Sequence, residues 1–259
     1  MHTNRYTFIY AAVLTIIAAL LLAFASEGLK STQQVNIILE KKANILKAAR
    51  IDVSDKSKLG DLYNSSVEEV VIDTEGNTKD GLKAFDLNLK DELAKPDAER
   101  SLPLYVFKKE DGKKIYILPL HGVGLWGPIW GFISIEDDFN TVYGANFDHK
   151  GETPGLGAEI ATTMFSEQFP EKKLYEGESQ DVALKVVKFG TGKNIPAEYR
   201  VDGISGGTIT TVGTSNMIRD CITLYQPYFG KLKTKIIPQG SDQDNSGGTT
   251  IDTSGVLEN

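Results

Sequence analysis

A single cysteine, Cys221, stands in 259 residues. That excludes an internal disulfide framework and any iron–sulfur or multi-cysteine metal site. Its setting inside an apolar helical pattern predicts a small buried side chain. Histidine is almost as scarce: His2, His121 and His149 lie far apart and lack metal-ligand spacing, so no metal is expected. Positive charge is in deficit, with a formal net charge of −7, and nucleic acid is not expected as a partner. No internal repeat is visible. The glycine clusters fit neither the phosphate loop G-x-x-x-x-G-K-[ST] nor the dinucleotide fingerprint G-x-G-x-x-G. No acid/base dyad stands out, and no catalytic residue is expected.

Apolar length, by contrast, is present at once. Residues 8–25 (FIYAAVLTIIAALLLAFA) are uncharged and as a helix would span roughly 27 Å, close to a bilayer's hydrocarbon core. The run predicts a transmembrane helix after a short segment 1–7. A cleaved signal peptide is the competing reading, because Ala23-Phe24-Ala25 resembles a cleavage site, but the run exceeds the usual apolar region of such signals. Arg5 precedes the span and Lys30, Lys41 and Lys42 follow it, so charge does not decide orientation. Residues 26–66 read as an amphipathic helix and connector, with Val35, Ile38, Leu39, Ile45, Leu46 and Ala49 at helical intervals. That stripe suits either a helix covering the domain or one facing a partner protein.

A domain over 67–238 follows, mixing strands and helices. Residues 67–73 form a short β-like run. Residues 90–101, charged and holding Pro96, suit a solvated loop or short helix. Asp111-Gly112 between two β-rich runs predicts a hairpin. Residues 158–165 read as a helix and 182–189 as a strand ending near Lys188. The apolar spacing of residues 216–225 predicts a second helix, after which Pro227 and Gly230 close the fold. The tail 239–259 lacks apolar residues for a core and is expected to be disordered.

Three segments carry chemistry. Gly122-Val123-Gly124-Leu125-Trp126-Gly127-Pro128-Ile129-Trp130-Gly131 holds both tryptophans, whose rings could pack over a flat group or belong to the core. His149-Lys150-Gly151-Glu152-Thr153-Pro154-Gly155-Leu156-Gly157 makes a turn that brings backbone to a helix start. Asp202-Gly203-Ile204-Ser205-Gly206-Gly207-Thr208 is a glycine-rich turn presenting hydroxyls ahead of a helix. It suits a phosphate-binding loop or an ordinary capped strand-to-helix turn.

The last segment resembles the D-x-x-S-G-A-T signature of flavoproteins whose FMN is joined through its phosphate to the threonine, with Gly207 in place of the usual alanine. With the N-terminal span, GLWGPIWG and HKGETPGLG, in that order over nearly the whole chain, it is similar to the family of C subunits of Na+-translocating NADH:quinone reductases. The G subunits of Rnf-type electron-transfer complexes share the general FMN-binding domain and are an alternative. The resemblance implies an α+β fold, an N-terminal transmembrane helix followed by one mixed FMN-binding domain. It implies covalent FMN on Thr208, attached by a flavin transferase, and electron relay within a complex of several subunits. The domain would face the periplasm from a bacterial inner membrane, with the lipid bilayer and the other subunits as partners. On this reading Ser205 Oγ and the N–H groups of Gly206 and Gly207 hold the phosphate, with Lys188 as counter-charge. Glu152, Thr153, Leu156 and Gly157 lie along the flavin ring, where Leu156 and Trp126 give apolar contact. Two other classes remain open: a non-redox assembly subunit with a vestigial motif, and an exported binding domain released after Ala25.

Overall fold

The computed structural model describes residues 4–236; the expectation for the tail 239–259 lies outside them. Helix α1 (Asn4–Ala48) is one continuous rod of 45 residues, roughly 68 Å long at helical rise. Residues 8–25 and the amphipathic stretch are therefore two parts of one element. Among the described residues α1 is the one helix long and apolar enough to cross a membrane. Its Val35 and Ile38 are still exposed, Leu39 is partly buried, and Ile45, Leu46 and Ala48 are buried, as is Ala49 just past its end. The stripe read from the sequence thus meets the domain only in its last three turns.

Helix α2 (Leu59–Ser66) leads into strand β1 (Val67–Ile72). After the short helix α3 (Leu89–Leu93) come β2 (Leu102–Lys108), β3 (Lys114–Val123), β4 (Pro128–Ile135) and β5 (Val142–His149). These five strands form one antiparallel meander in chain order, and the expected hairpin at Asp111-Gly112 joins β2 to β3. Both faces of the sheet are covered, so its strands read as apolar runs rather than alternations. In β2, Leu104 and Val106 belong to one core while Tyr105 and Phe107 belong to the other, as the two-residue period requires.

The end of α1 packs on the Tyr105 face. Ser134 Oγ on β4 donates to Ala48 O, and Gly144 leaves room for that same carbonyl: a Cβ there would lie 2.5 Å from it. The opposite face is covered by α5 (Thr208–Ile236), whose Met217, Ile218, Cys221, Ile222, Tyr225 and Phe229 are buried at helical spacing. This helix starts eight residues before the apolar spacing predicts, and it runs on past both Pro227 and Gly230. Thr210, Thr211 and Thr214 are buried too and extend the stripe as polar residues, which hides the first turns from a hydrophobicity pattern. Pro227 is tolerated although it has no N–H for the Thr223 carbonyl.

Two further expectations are corrected. Residues 158–165 are not one helix but a 3₁₀ segment, Gly157–Ala161, followed by the single turn α4 (Thr163–Ser166), which Thr162 caps by accepting from Phe165 N–H. The run 182–189 shrinks to β6 (Lys185–Val187), paired in parallel with β7 (Arg200–Asp202).

Cys221 is buried as expected. Its sulfur accepts from His121 N–H at 3.4 Å, and burial pushes the thiol up to about 11. A thiol reagent at pH 8 should leave it unmodified in the folded protein and label it at once in denaturant, with the incorporated mass as the readout.

Candidate functional site

Three chain segments, far apart in sequence, meet at one end of the sheet. The first is the tip of the β3–β4 hairpin, closed by Gly124 N–H donating to Gly127 O at 2.8 Å. Its two central residues, Leu125 and Trp126, point outward, and Trp126 is 69% exposed. The second follows β5. Leu156 N–H donates to Thr153 O at 3.1 Å across Pro154 and Gly155, and Gly155 has φ +75°; this is the Pro-Gly type II turn. The third follows β7. Gly207 N–H donates to Ile204 O at 3.1 Å across Ser205 and Gly206, and Gly206 has φ +77°, so a second type II turn delivers the chain into α5.

The contacts between these segments are tight. A Cβ at Gly206 would lie 2.6 Å from Leu156 Cδ2, and one at Gly207 would lie 3.3 Å from Gly157 N. At Gly213, one turn into α5, it would reach 2.2 Å from the carbonyl oxygen of Val123. Glycine is what lets hairpin, turn and helix touch. Trp126 Nε1–H donates to Thr153 Oγ1 at 3.1 Å, so the exposed indole is fixed at its edge.

Thr208 is the first residue of α5 and is exposed. Its N–H and those of the next residues belong to the opening turn, which has no intrahelical acceptor for them. Ile209 at 58% and Val212 at 52% exposure follow it on the same helix, and Leu156, at 41%, lies against Gly206 just before it. The arrangement is an exposed secondary hydroxyl at a helix N-terminus, in a region where the apolar side chains of Trp126, Leu156, Ile209 and Val212 are also exposed. It can take an anion with a flat aromatic body.

The structure therefore brings Trp126, Glu152, Thr153, Leu156, Gly157, Ser205, Gly206, Gly207 and Thr208 into one region. Several roles shift. Glu152 is buried under the surface, not open along it. The N–H of Gly207 is already used in its turn, whereas Ser205 and Gly206 are exposed. Lys188 is exposed just past β6, where Val187 O accepts from Gly203 N–H, so the backbone puts it at the root of the loop. Trp130 departs from the site altogether. It alternates with Ile129 and Ile133 on β4, so it shares the α1 face of the sheet with Phe132 and lines a cleft with Lys41 and Asn44. The two tryptophans cannot clasp one ring. Sequence reasoning missed Ile209, Val212 and Thr210; their spacing from Thr208 would have shown them had the helix been started there.

The FMN-binding domain family matches residues 124–223, from the hairpin tip to the middle of α5. The C subunit of the Na(+)-translocating NADH-quinone reductase of Vibrio alginolyticus is 34% identical over 222 residues, covering 78% of this chain and 84% of its own length. The chain belongs to the family of C subunits of Na(+)-translocating NADH-quinone reductases. A second member, from Neisseria meningitidis, is 32% identical over 247 residues, covering 88% of this chain and 94% of the relative. The crystal structure of the C subunit from Parabacteroides distasonis superposes with a TM-score of 0.70 at 37% identity, covering 78% of this chain and 96% of that one. Shewanella oneidensis NqrC, 23% identical with a TM-score of 0.66, shares the fold over 75% of this chain and 97% of its own. As a member of this family the chain is one subunit of an oxidoreductase complex.

Proposed function

We propose that this chain is an electron-carrying subunit of a Na+-translocating NADH:quinone reductase, holding FMN through a phosphodiester on Thr208. The observation that carries the reading is the placement of Thr208. It is an exposed hydroxyl on the first turn of a helix, at the meeting point of the three segments that resemble the family's motifs. The residues fit the group. The α5 N-terminus and the exposed Ser205 offer donors to a phosphate. Trp126, Leu156, Ile209 and Val212 offer an apolar surface to a flat ring, and Thr153 and neighbouring amides can bond its polar edge. Lys188, exposed at the root of the same loop, would be the counter-charge.

A shallow surface explains the need for a bond. With Ile209 and Val212 half-exposed there is little to enclose a free flavin, and a tether keeps it at high effective concentration whatever the surrounding pool. Forming the tether would replace the Thr208 Oγ1–H bond with an Oγ1–P bond, the group leaving phosphorus taking up the proton. A separate flavin transferase performs that step on the exposed hydroxyl. Once bound, FMN supplies reversible electron acceptance, and the chain supplies position and polarity.

The proposal makes α1 a single-pass anchor in the bacterial inner membrane, with the domain on the periplasmic side and the remaining subunits of the complex as neighbours. Support for the side comes from the resemblance and from the use of a tether outside the cytoplasmic flavin pool. To test the cofactor, the full chain is co-expressed with a flavin transferase and denatured in detergent. Flavin fluorescence should travel with the polypeptide; a colourless polypeptide would overturn the reading.

A further inference from the structure

Glu152 is 4% exposed, and among the described residues no ion pair answers its charge. Its oxygens are taken from two different elements. Oε1 accepts from Trp126 N–H at 2.8 Å, at the hairpin tip, and Oε2 accepts from Thr210 Oγ1 at 2.7 Å, in the first turn of α5. Its own N–H donates to His149 Nδ1 at 3.1 Å, so the carboxylate is anchored from behind as well.

Room around the carboxylate is kept clear on both sides. A Cβ at Gly124 would lie 2.5 Å from Oε1, and one at Gly157 would lie 2.5 Å from Oε2. Neither glycine has a positive φ. It is their lack of a side chain, not backbone freedom, that the site uses.

Burying a carboxylate without a cation is costly. The positive end of α5 offsets part of that cost. Yet a neutral glutamine of the same shape could accept from Trp126 and bond Thr210, so the two hydrogen bonds do not by themselves require the charge. The charge has one unclaimed surface to act on, the ground between Trp126 and Thr208.

We propose that Glu152 is a positioning residue for the cofactor site, clamping the Trp126 hairpin to the helix that bears Thr208 and fixing a negative charge beneath the flavin. The inference rests on FMN being joined to Thr208. A buried charge is poorly screened by salt and opposes the arrival of electrons, so it holds the flavin's midpoint potential below the value a neutral site would give. The clamp itself acts with or without cofactor.

The test uses the full chain in detergent, co-expressed with a flavin transferase, as wild type, Glu152→Gln, Glu152→Ala and Thr210→Val. Glu152→Gln should raise the midpoint potential of the flavin it carries. In flavin-free protein carrying Thr208→Ala, adding Glu152→Ala should speed hydrogen exchange at the 123–127 hairpin by roughly tenfold. If Glu152→Ala does not fold, Thr210→Val in the same background should still speed that exchange, by less. An unmoved potential in Glu152→Gln overturns the charge; unchanged exchange in these backgrounds overturns the clamp. Wild-type protein without covalent flavin counts against the Thr208 reading instead, and the exchange comparison then judges Glu152 independently.

Discussion

Thr208→Ala should fold, insert into the membrane and carry no covalent flavin at all. The loss is expected to be complete because a methyl group cannot replace the ester oxygen. It should be clean because Thr208 is exposed on the first turn of α5, where a substitution costs within about 0.5 kcal/mol of stability. Thr208→Ser, which keeps a hydroxyl, should restore labelling. The neighbouring threonines are different in kind. Thr210 is buried against Glu152, and Thr211 is buried with its Oγ1 accepting from Ile204 N–H at 3.1 Å. Neither hydroxyl is open to a transferase, so Thr210→Ala and Thr211→Ala should retain flavin on the denatured polypeptide. In-gel fluorescence of the four variants checks this. Label surviving in Thr208→Ala would move the attachment point elsewhere. Quinone reduction by the assembled complex should fall with the label, and retained turnover in Thr208→Ala would favour an assembly role over an electron-carrying one.

The second large effect concerns the platform beneath the site. Tyr225 is fully buried between α5 and the sheet, and its hydroxyl donates to Pro103 O at 2.9 Å. Burial raises the phenol well above its ordinary range, so it stays neutral. Tyr225→Ala leaves a large cavity and an unpaired carbonyl, and should cost about 3–5 kcal/mol. Thermal unfolding of the full chain in detergent should show a midpoint lower by roughly 10 °C. Tyr225→Phe keeps the ring and loses only the hydrogen bond, at about 1–2 kcal/mol. Near-equal losses in the two variants would mean that the hydrogen bond, not the packing, holds α5 to the sheet.

The apolar span, the hairpin at Asp111-Gly112 and the β-rich runs were legible because each is a local pattern: length without charge, or apolar β-rich runs interrupted by turn chemistry. Elements set by tertiary contacts were not. The start of α5 is hidden because its buried residues there are Thr210, Thr211 and Thr214, polar groups satisfied by Glu152, by the Ile204 amide and by the backbone. Pro227 would end an isolated helix, and only packing against the sheet carries α5 past it. The short β6 looked longer because VALKVVKF is apolar throughout most of its length, while pairing with β7 uses three residues of it.

At the site the residue types could be read, but their orientation could not. Trp126 and Trp130 are four apart, a spacing that would face them together on a helix, yet Trp126 sits in the turn beyond the last strand pair, Val123 with Pro128, while Trp130 lies on β4 and lines the cleft beside α1. Glu152 has the composition of a surface residue, and only the glycines at 124 and 157 show that space was kept for it inside.

The most direct measurement is mass spectrometry of the wild-type protein taken from the assembled, active complex. Cleavage after Arg200 and Arg219 releases the segment 201–219. The account predicts that this peptide carries one flavin phosphate, with fragment ions placing it on Thr208. The same peptide recovered unmodified from active complex would contradict it.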